Sequence, residues 1–149
     1  MTIAKTATAS AKSVLRQATA RFPKRLKASD GLLPSLAHQK QNPSSDHNTG
    51  YAVDVTHDPT FGIDCAVAFR ELQKDKRVKY LIFKGKIWSQ ENSTHIYTGS
   101  NQHTKHLHIS IKDTCGSDTS DWFPWLPQAK PINKVKAKLP KRLPKKEIK

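Results

Sequence analysis

Residues 106–112 alternate strictly between polar and apolar side chains, and this segment constrains the fold more than any other. Leu107, Ile109 and Ile111 fall on one side, whereas His106 and His108 fall on the other. Successive side chains of a β-strand point to opposite faces, so the pattern predicts a strand with one buried face. The chain must therefore form a sheet whose second face carries both histidines of an H-x-H motif.

Two further segments have the features of strands. Residues 50–55 alternate in the same way and place Asp54 away from the more apolar face. Residues 78–83 are rich in β-branched and aromatic side chains, and Gly85 permits a tight turn before a second extended segment at residues 87–88. A hairpin beside two more strands predicts an antiparallel sheet.

Two helices are predicted from apolar residues at helical spacing. Residues 13–22 repeat an apolar side chain every fourth position and end before Pro23. Residues 63–72 have similar spacing, with Asp64 near the start as an N-cap. The positions expected to face the core are Val14, Ala18, Phe22, Ala66, Phe69 and Leu72. Together with the strands, they predict an α+β fold with helices packed on one side of the sheet.

The basic residues are concentrated at the two ends of the chain. Residues 1–27 contain seven Lys and Arg and no acidic residue, and residues 129–149 contain nine basic residues and one acidic residue. Residues 28–128 are nearly neutral, with ten basic and eleven acidic side chains. We expect a flexible basic arm at residues 1–12, one domain at residues 13–128, and a disordered Lys/Pro-rich tail at the C-terminal end.

The charge distribution limits the classes of partner. Basic arms favour an anionic polymer, such as a cell wall, a membrane surface or a nucleic acid, although they also increase solubility. The near-neutral centre contains no recognised base-reading motif, so only nonspecific, salt-sensitive nucleic-acid binding is expected. Residues 1–12 lack the apolar run of a secretory signal peptide, which predicts synthesis in the cytoplasm without such a signal.

The two cysteines do not form a metal-binding motif. Cys65 and Cys115 are far apart and neither has a C-x-x-C partner, which disfavours cysteine-based zinc binding. A disulfide between them and two free buried thiols are both compatible with the sequence.

Histidines and a carboxylate recur where the predicted strands could bring them together. His106 and His108 lie on one strand, Asp54 lies on another, and His47 precedes that second strand by a short turn-forming segment. Neutral imidazole and carboxylate are suitable ligands for zinc, and an incomplete ligand set leaves a position for water. The combination predicts a catalytic zinc site, although a lone H-x-H would be weak support.

The motifs that carry these residues resemble a known family. Residues 45–54 read S-x-H-x-x-G-x-A-x-D, and H-x-H follows at residues 106–108. This order is similar to the zinc metallopeptidases that include bacterial and phage D-alanyl-D-alanine carboxypeptidases, peptidoglycan endopeptidases and the hedgehog signalling domain. The resemblance covers residues from about 13 to 125 and implies an α+β, hedgehog/DD-peptidase-like fold whose antiparallel sheet carries the zinc site.

The resemblance also assigns roles to individual residues. His47, Asp54 and His108 would be the zinc ligands, and His106 would lie beside the metal without ligating it. Ser45 would brace the loop or the site through a hydrogen bond. Independently of the resemblance, the aromatic ring of Tyr97 is a candidate wall for a peptide substrate, and core packing is the alternative.

One position departs from the family pattern. Lys105 stands where the carboxypeptidase branch has a Glu or Asp that acts as general base. His103 and His106 are the remaining candidates, and together with His108 they form H-x-x-H-x-H, similar to penicillin-insensitive murein endopeptidases. Because histidine titrates near neutral pH, it can replace a carboxylate base.

The resemblance implies a zinc-dependent peptidoglycan peptidase, endolysin-like or involved in cell-wall remodelling. Its partners would be peptidoglycan peptides and, through the basic arms, the anionic cell envelope, and we expect a monomer. The enzyme would reach the wall after release from the cytoplasm, in a phage lysis or virion setting. The alternatives are a noncatalytic zinc-binding module of the same fold and a charge-driven nucleic-acid-binding protein.

Overall fold

The computed structural model describes residue 4 and residues 6–34 and 44–127. Within this part of the chain the protein is α+β, with a five-stranded antiparallel sheet and two α-helices. The C-terminal tail predicted at residues 129–149 lies outside the described residues, as do residues 1–3 and 5 of the predicted N-terminal arm. The fold class expected from the alternating segments is thus confirmed at the level of α+β with an antiparallel sheet.

The sheet places its last strand among the earlier ones. Its strands are β1 (Ala52–Thr56), β2 (Val78–Phe83), β3 (Lys86–Ser89), β4 (Ser93–Ile96) and β5 (His106–Ile111). Their spatial order is β1-β5-β2-β3-β4, and every neighbouring pair is antiparallel. Strand β5 therefore has a hydrogen-bonded neighbour on each side, which fixes the face that its histidines occupy.

Helix α1 (Ala9–Arg21) covers β1 and begins earlier than predicted. Thr8 caps its N-terminus, because the Thr8 side chain accepts a hydrogen bond from the Ala11 N–H. Ala11, Val14 and Ala18 are fully buried. The helix thus extends into the segment expected to be a flexible arm, because small alanine side chains let its first turn pack closely on the sheet.

Helix α2 (Cys65–Glu71) is shorter than the helix predicted at residues 63–72 and presents a different face. Asp64 caps it as expected, accepting from the Ala66 and Val67 N–H groups. The prediction that Ala66 faces the core is wrong, since Ala66 is exposed and Cys65 and Ala68 are buried instead. Leu72 reaches the core from the short 3₁₀ turn that follows the helix.

The core lies on the helix side of the sheet. Apolar residues of β1, β2 and β5 meet α1 and α2 there, and Trp122 and Phe123 close this layer with no exposed surface. The indole N–H of Trp122 donates to the Ser13 hydroxyl at 2.9 Å. Both cysteines are free thiols, Cys65 buried and Cys115 half-buried. Over the described ranges, neither helix is long and apolar enough to span a bilayer.

Candidate metal centre

The face of the sheet opposite the core carries a cluster of histidines around one aspartate. Strands β1 and β5 pair so that Asp54 lies directly opposite His108. Both backbone groups of Asp54 are bonded to Gly31, whose carbonyl accepts at 2.8 Å and whose N–H donates at 3.1 Å. Asp54 is therefore held between β5 and a short extension of the sheet edge.

A tight turn before β1 positions the His47 side chain next to Asp54. A 3₁₀ turn spans Asp46–Thr49, and the Ser45 hydroxyl caps it by accepting from the His47 N–H at 3.2 Å. Gly50 ends the turn with a φ of 82°, a conformation that glycine adopts without strain. The bracing role predicted for Ser45 corresponds to this hydrogen bond.

The side chains of three histidines converge on one oxygen of the Asp54 carboxylate. From Asp54 Oδ1 the distances are 3.1 Å to His47 Nε2, 3.3 Å to His108 Nδ1 and 3.7 Å to His106 Nε2. One donor atom from each of His47, Asp54 and His108 lies within 4.8 Å of the other two. These three residues could hold a metal ion, which agrees with the ligand set that the motif resemblance implies.

The hydrogen bonds of His47 test whether a cation fits this position. Its Nδ1 lies 2.6 Å from the Leu32 carbonyl oxygen, which can only accept, so Nδ1 carries the proton. In the neutral ring the proton-free Nε2 then faces Asp54 Oδ1, and two electron-rich atoms lie 3.1 Å apart. A cation between them removes this repulsion, whether it is a proton on Nε2 or a metal ion.

The surroundings of Asp54 and His47 shift the pKa values of both side chains toward their charged forms. Burial alone would raise the pKa of Asp54, but its hydrogen bonds with His108 and His47 outweigh burial and hold that pKa far below its usual value. Burial alone would lower the pKa of His47, but the bond to Asp54 and the negative charge there raise it. The carboxylate is thus ionised throughout the neutral range and attracts a cation.

His108 is fixed by two residues whose roles the sequence patterns did not indicate. Its Nε2 lies 2.7 Å from the Ser110 hydroxyl, which leaves Nδ1 directed at Asp54. The Tyr80 ring stacks on the imidazole with ring centroids 5.3 Å apart and planes 17° apart. The alternation in β5 already placed Ser110 on the histidine face, whereas the Tyr80 contact depends on pairing between β2 and β5.

His106 and His103 lie at the border of the cluster. His106 is on the same face of β5 as His108. The His103 ring is T-shaped to both imidazoles, with its centroid 4.9 Å from that of His106 and 5.6 Å from that of His108. Burial, followed by repulsion from His108 and His106, lowers the pKa of His103 to about 4. Burial also lowers the pKa of His106. Both rings are therefore neutral near pH 7.

His103 combines two unusual properties. Its φ is 56°, in the left-handed region that residues other than glycine rarely adopt. Its Nδ1 is buried, and in the described part of the chain that atom has no hydrogen-bond partner. The Tyr97 ring packs against the His103 ring in a T-shaped arrangement, with ring centroids 5.6 Å apart, so Tyr97 lies beside His103 at the border of the cluster.

Two further histidines in the described part of the chain, His57 and His95, are outside the cluster. His57 Nδ1 accepts from the Cys65 N–H at 3.0 Å and thereby supports the start of α2. His95 is exposed on β4. Lys105, which occupies the position of the missing acidic residue, is also exposed. Of the described histidines, His47, His103, His106 and His108 share the cluster.

Fold and site together define an α+β protein with a candidate two-histidine, one-aspartate metal centre on the face of the sheet opposite the core. Residues 4–108 match the family described as VldE, C-terminal domain. The match covers more than half of the chain and includes every residue of the cluster, so the protein belongs to this family. No curated protein and no solved structure matches the chain.

Proposed function

We propose that the protein is a zinc-dependent peptidoglycan peptidase that hydrolyses a peptide bond of the stem or crosslink. The convergence of His47, Asp54 and His108 beside two neutral histidines carries this proposal. The set of two imidazoles and one carboxylate suits zinc and leaves room for water and substrate. An α+β fold with an antiparallel sheet behind the site supports kinship with the hedgehog/DD-peptidase-like metallopeptidases.

The donor set determines the charge at the reaction centre. A zinc ion held there would supply a Lewis acid to the scissile carbonyl and to water. His47, Asp54 and His108 contribute one negative charge, so the loaded site keeps a net positive charge that stabilises a developing oxyanion. Ser110 and Tyr80 hold His108 in the orientation this arrangement requires.

His106 is the candidate general base. It lies beside the ligand set on β5, and its side chain is 16% exposed, so that a proton can leave through solvent. Its lowered pKa keeps the ring neutral and able to accept a proton from the attacking water. His103, whose buried Nδ1 has no partner among the described residues, can hydrogen-bond either His106 or the substrate oxyanion.

The proposal is tested by digesting purified peptidoglycan with the wild-type protein, His106→Ala, and a zinc-chelated sample, and identifying fragments by mass spectrometry. We expect zinc-dependent fragments from the wild type and a loss of at least about a hundredfold in rate for His106→Ala. His95→Ala is the matched control, because His95 is exposed and outside the cluster.

Two results would overturn the proposal. Intact peptidoglycan with one equivalent of zinc bound would identify a noncatalytic zinc-binding module. Failure to bind zinc at all would eliminate the assigned ligands. The new termini of any fragments identify the bond that is cleaved.

The proposed activity also implies a place of action. We expect the enzyme to reach the cell wall after release, in a phage lysis or virion setting, with the basic arms attracted to the anionic envelope. A coding region beside lysis genes would support this expectation, and a neighbourhood of unrelated metabolic genes would contradict it.

A further inference from the structure

A second feature of the same sheet face is an open cavity of about 460 Å³ at the far end of β5. It lies between the turn that carries His47, the start of β2, the β3–β4 turn and the segment after β5. Its charged lining residues are Asp46, Lys79, Glu91, Lys112 and Asp113.

The cavity adjoins the candidate metal centre. Asp46 directly precedes His47, and Lys79 directly precedes Tyr80, whose ring stacks on His108. Lys112 follows His108 by four residues and is the first residue after β5. At roughly 3.3 Å per residue, this spacing is about 13 Å, which a short extended peptide can bridge.

The cavity contains charges of both signs that the protein does not neutralise. Lys79 is already paired with Asp46, at 3.1 Å. Lys112, Glu91 and Asp113 also line the cavity, and over residues 44–127 their side chains have no ion pair or hydrogen bond. One free ammonium group and two free carboxylates therefore face the same space.

We propose that this cavity binds the free ammonium-and-carboxylate end of a diamino-dicarboxylic acid residue in the stem peptide. Lys112 would pair with the ligand carboxylate, and Glu91 or Asp113 would pair with its ammonium group. A stem peptide with a lysine-type residue offers the ammonium group alone and leaves Lys112 unpaired. The inference rests on the proposed function, because it names the substrate class for the same face of the sheet.

The test is a binding titration that does not require turnover. The isotope-labelled full-length protein is titrated by NMR with L-Ala-γ-D-Glu-meso-diaminopimelate and, separately, with L-Ala-γ-D-Glu-L-Lys. We expect the diaminopimelate peptide to shift the amides of Glu91, Lys112 and Asp113 and to bind at least about fivefold more tightly. Lys112→Gln should abolish this preference.

Lys27→Gln is the matched control, because Lys27 is exposed in the loop after α1 and does not line the cavity. It should retain the wild-type preference. Equal affinity for the two peptides, shifts confined to other surfaces, or no binding at millimolar concentration would each overturn the inference.

The two proposals fail in distinguishable ways. Zinc-dependent digestion of peptidoglycan together with equal peptide affinities would leave the peptidase in place and eliminate the cavity as a specificity site. Selective binding of the diaminopimelate peptide with undigested peptidoglycan would support the cavity and eliminate the peptidase.

Discussion

His103 is one of three non-glycine residues in the described part of the chain that have a positive φ. Its backbone N–H donates to the Asn101 side chain at 3.0 Å, and its carbonyl accepts from Lys84 N–H at 3.1 Å. These two bonds keep a non-glycine residue at a φ of 56°, which costs on the order of 1 kcal/mol.

The buried neutral state of His103 predicts a pH-dependent stability of the metal-free protein. The folded-state pKa is about 4, against an ordinary value of 6.5, so the unfolded chain binds more protons between these values. His103 therefore contributes stability that is complete above about pH 6.5 and is lost as the pH falls toward 4.

His103→Asn removes this titration and tolerates the left-handed conformation. With a chelator present, we expect the variant to lose less melting temperature than the wild type between pH 7 and pH 4.5. An identical decline in both proteins would contradict the lowered pKa of His103. His95→Asn should leave the wild-type decline unchanged.

Ser110 offers a prediction that is independent of catalysis. Its hydroxyl bonds His108 Nε2 and leaves Nδ1 free for a metal, so Ser110→Ala should weaken zinc binding by about tenfold. Competition with a chelator of known affinity measures the change. Ser110→Thr keeps the hydroxyl and should restore much of the affinity, whereas the exposed control Ser117→Ala should have no effect. Unaltered zinc affinity in Ser110→Ala would contradict this role.

At the scale of elements, the N-terminus of α1 is connected to the turn that carries His47. Thr8 caps the helix, and its hydroxyl also donates to the Gly50 carbonyl at 2.8 Å. Thr8→Ala removes both bonds and should reduce the free energy of unfolding by about 1–2 kcal/mol.

Denaturant unfolding measures the effect of Thr8→Ala, and Thr8→Ser should recover most of the loss. Thr60→Ala is an exposed control on another loop. A Thr8→Ala protein as stable as the wild type would show that the Thr8 hydroxyl contributes nothing to the connection between the helix end and the turn.

Elements governed by local rules were predictable from the sequence. Alternation placed Asp54 and the histidines of β5 on one face, and the Asp64 cap and the Gly85 turn follow from short-range preferences. The strand order was not predictable, because β5 enters between β1 and β2 through contacts between segments distant in sequence.

The site shows the same division between local and long-range features. His47, Asp54, His106 and His108 lie on motifs that could be identified by spacing, and they meet in the structure. Tyr80 could not be assigned, because a bulge between Val78 and Tyr80 shifts the pairing of β2 with β5. The early start of α1 was also missed, because basic residues there suggested a solvated arm.

At the scale of the whole molecule, the basic residues of the C-terminal segment are separate in sequence from the histidine cluster. We therefore expect attraction to the cell envelope and the proposed hydrolysis to be separable. Residues 129–149 carry nine basic residues, whereas the region that holds the cluster is almost neutral. A chain ending at Gln128 should show the proposed activity on soluble muropeptides at the level of the full-length protein, and a lower activity on whole cells.

Raising the ionic strength should reduce the whole-cell activity of the full-length protein toward that of the shortened chain, because salt screens attraction between exposed charges. Turbidity of a cell suspension gives one readout, and chromatography of soluble fragments gives the other. Equal whole-cell activity with and without the tail would exclude any contribution from it.

Gly31 lies against the Asp54 side chain of the candidate metal centre but contributes no ligand atom. A Cβ placed on Gly31 would lie 3.0 Å from Asp54 Oδ2. A side chain there would press on the carboxylate from outside the ligand set, so Gly31→Ala should displace the Asp54 carboxylate slightly. Directed evolution that seeks weaker or altered metal preference could therefore act at Gly31 while every ligand remains in place.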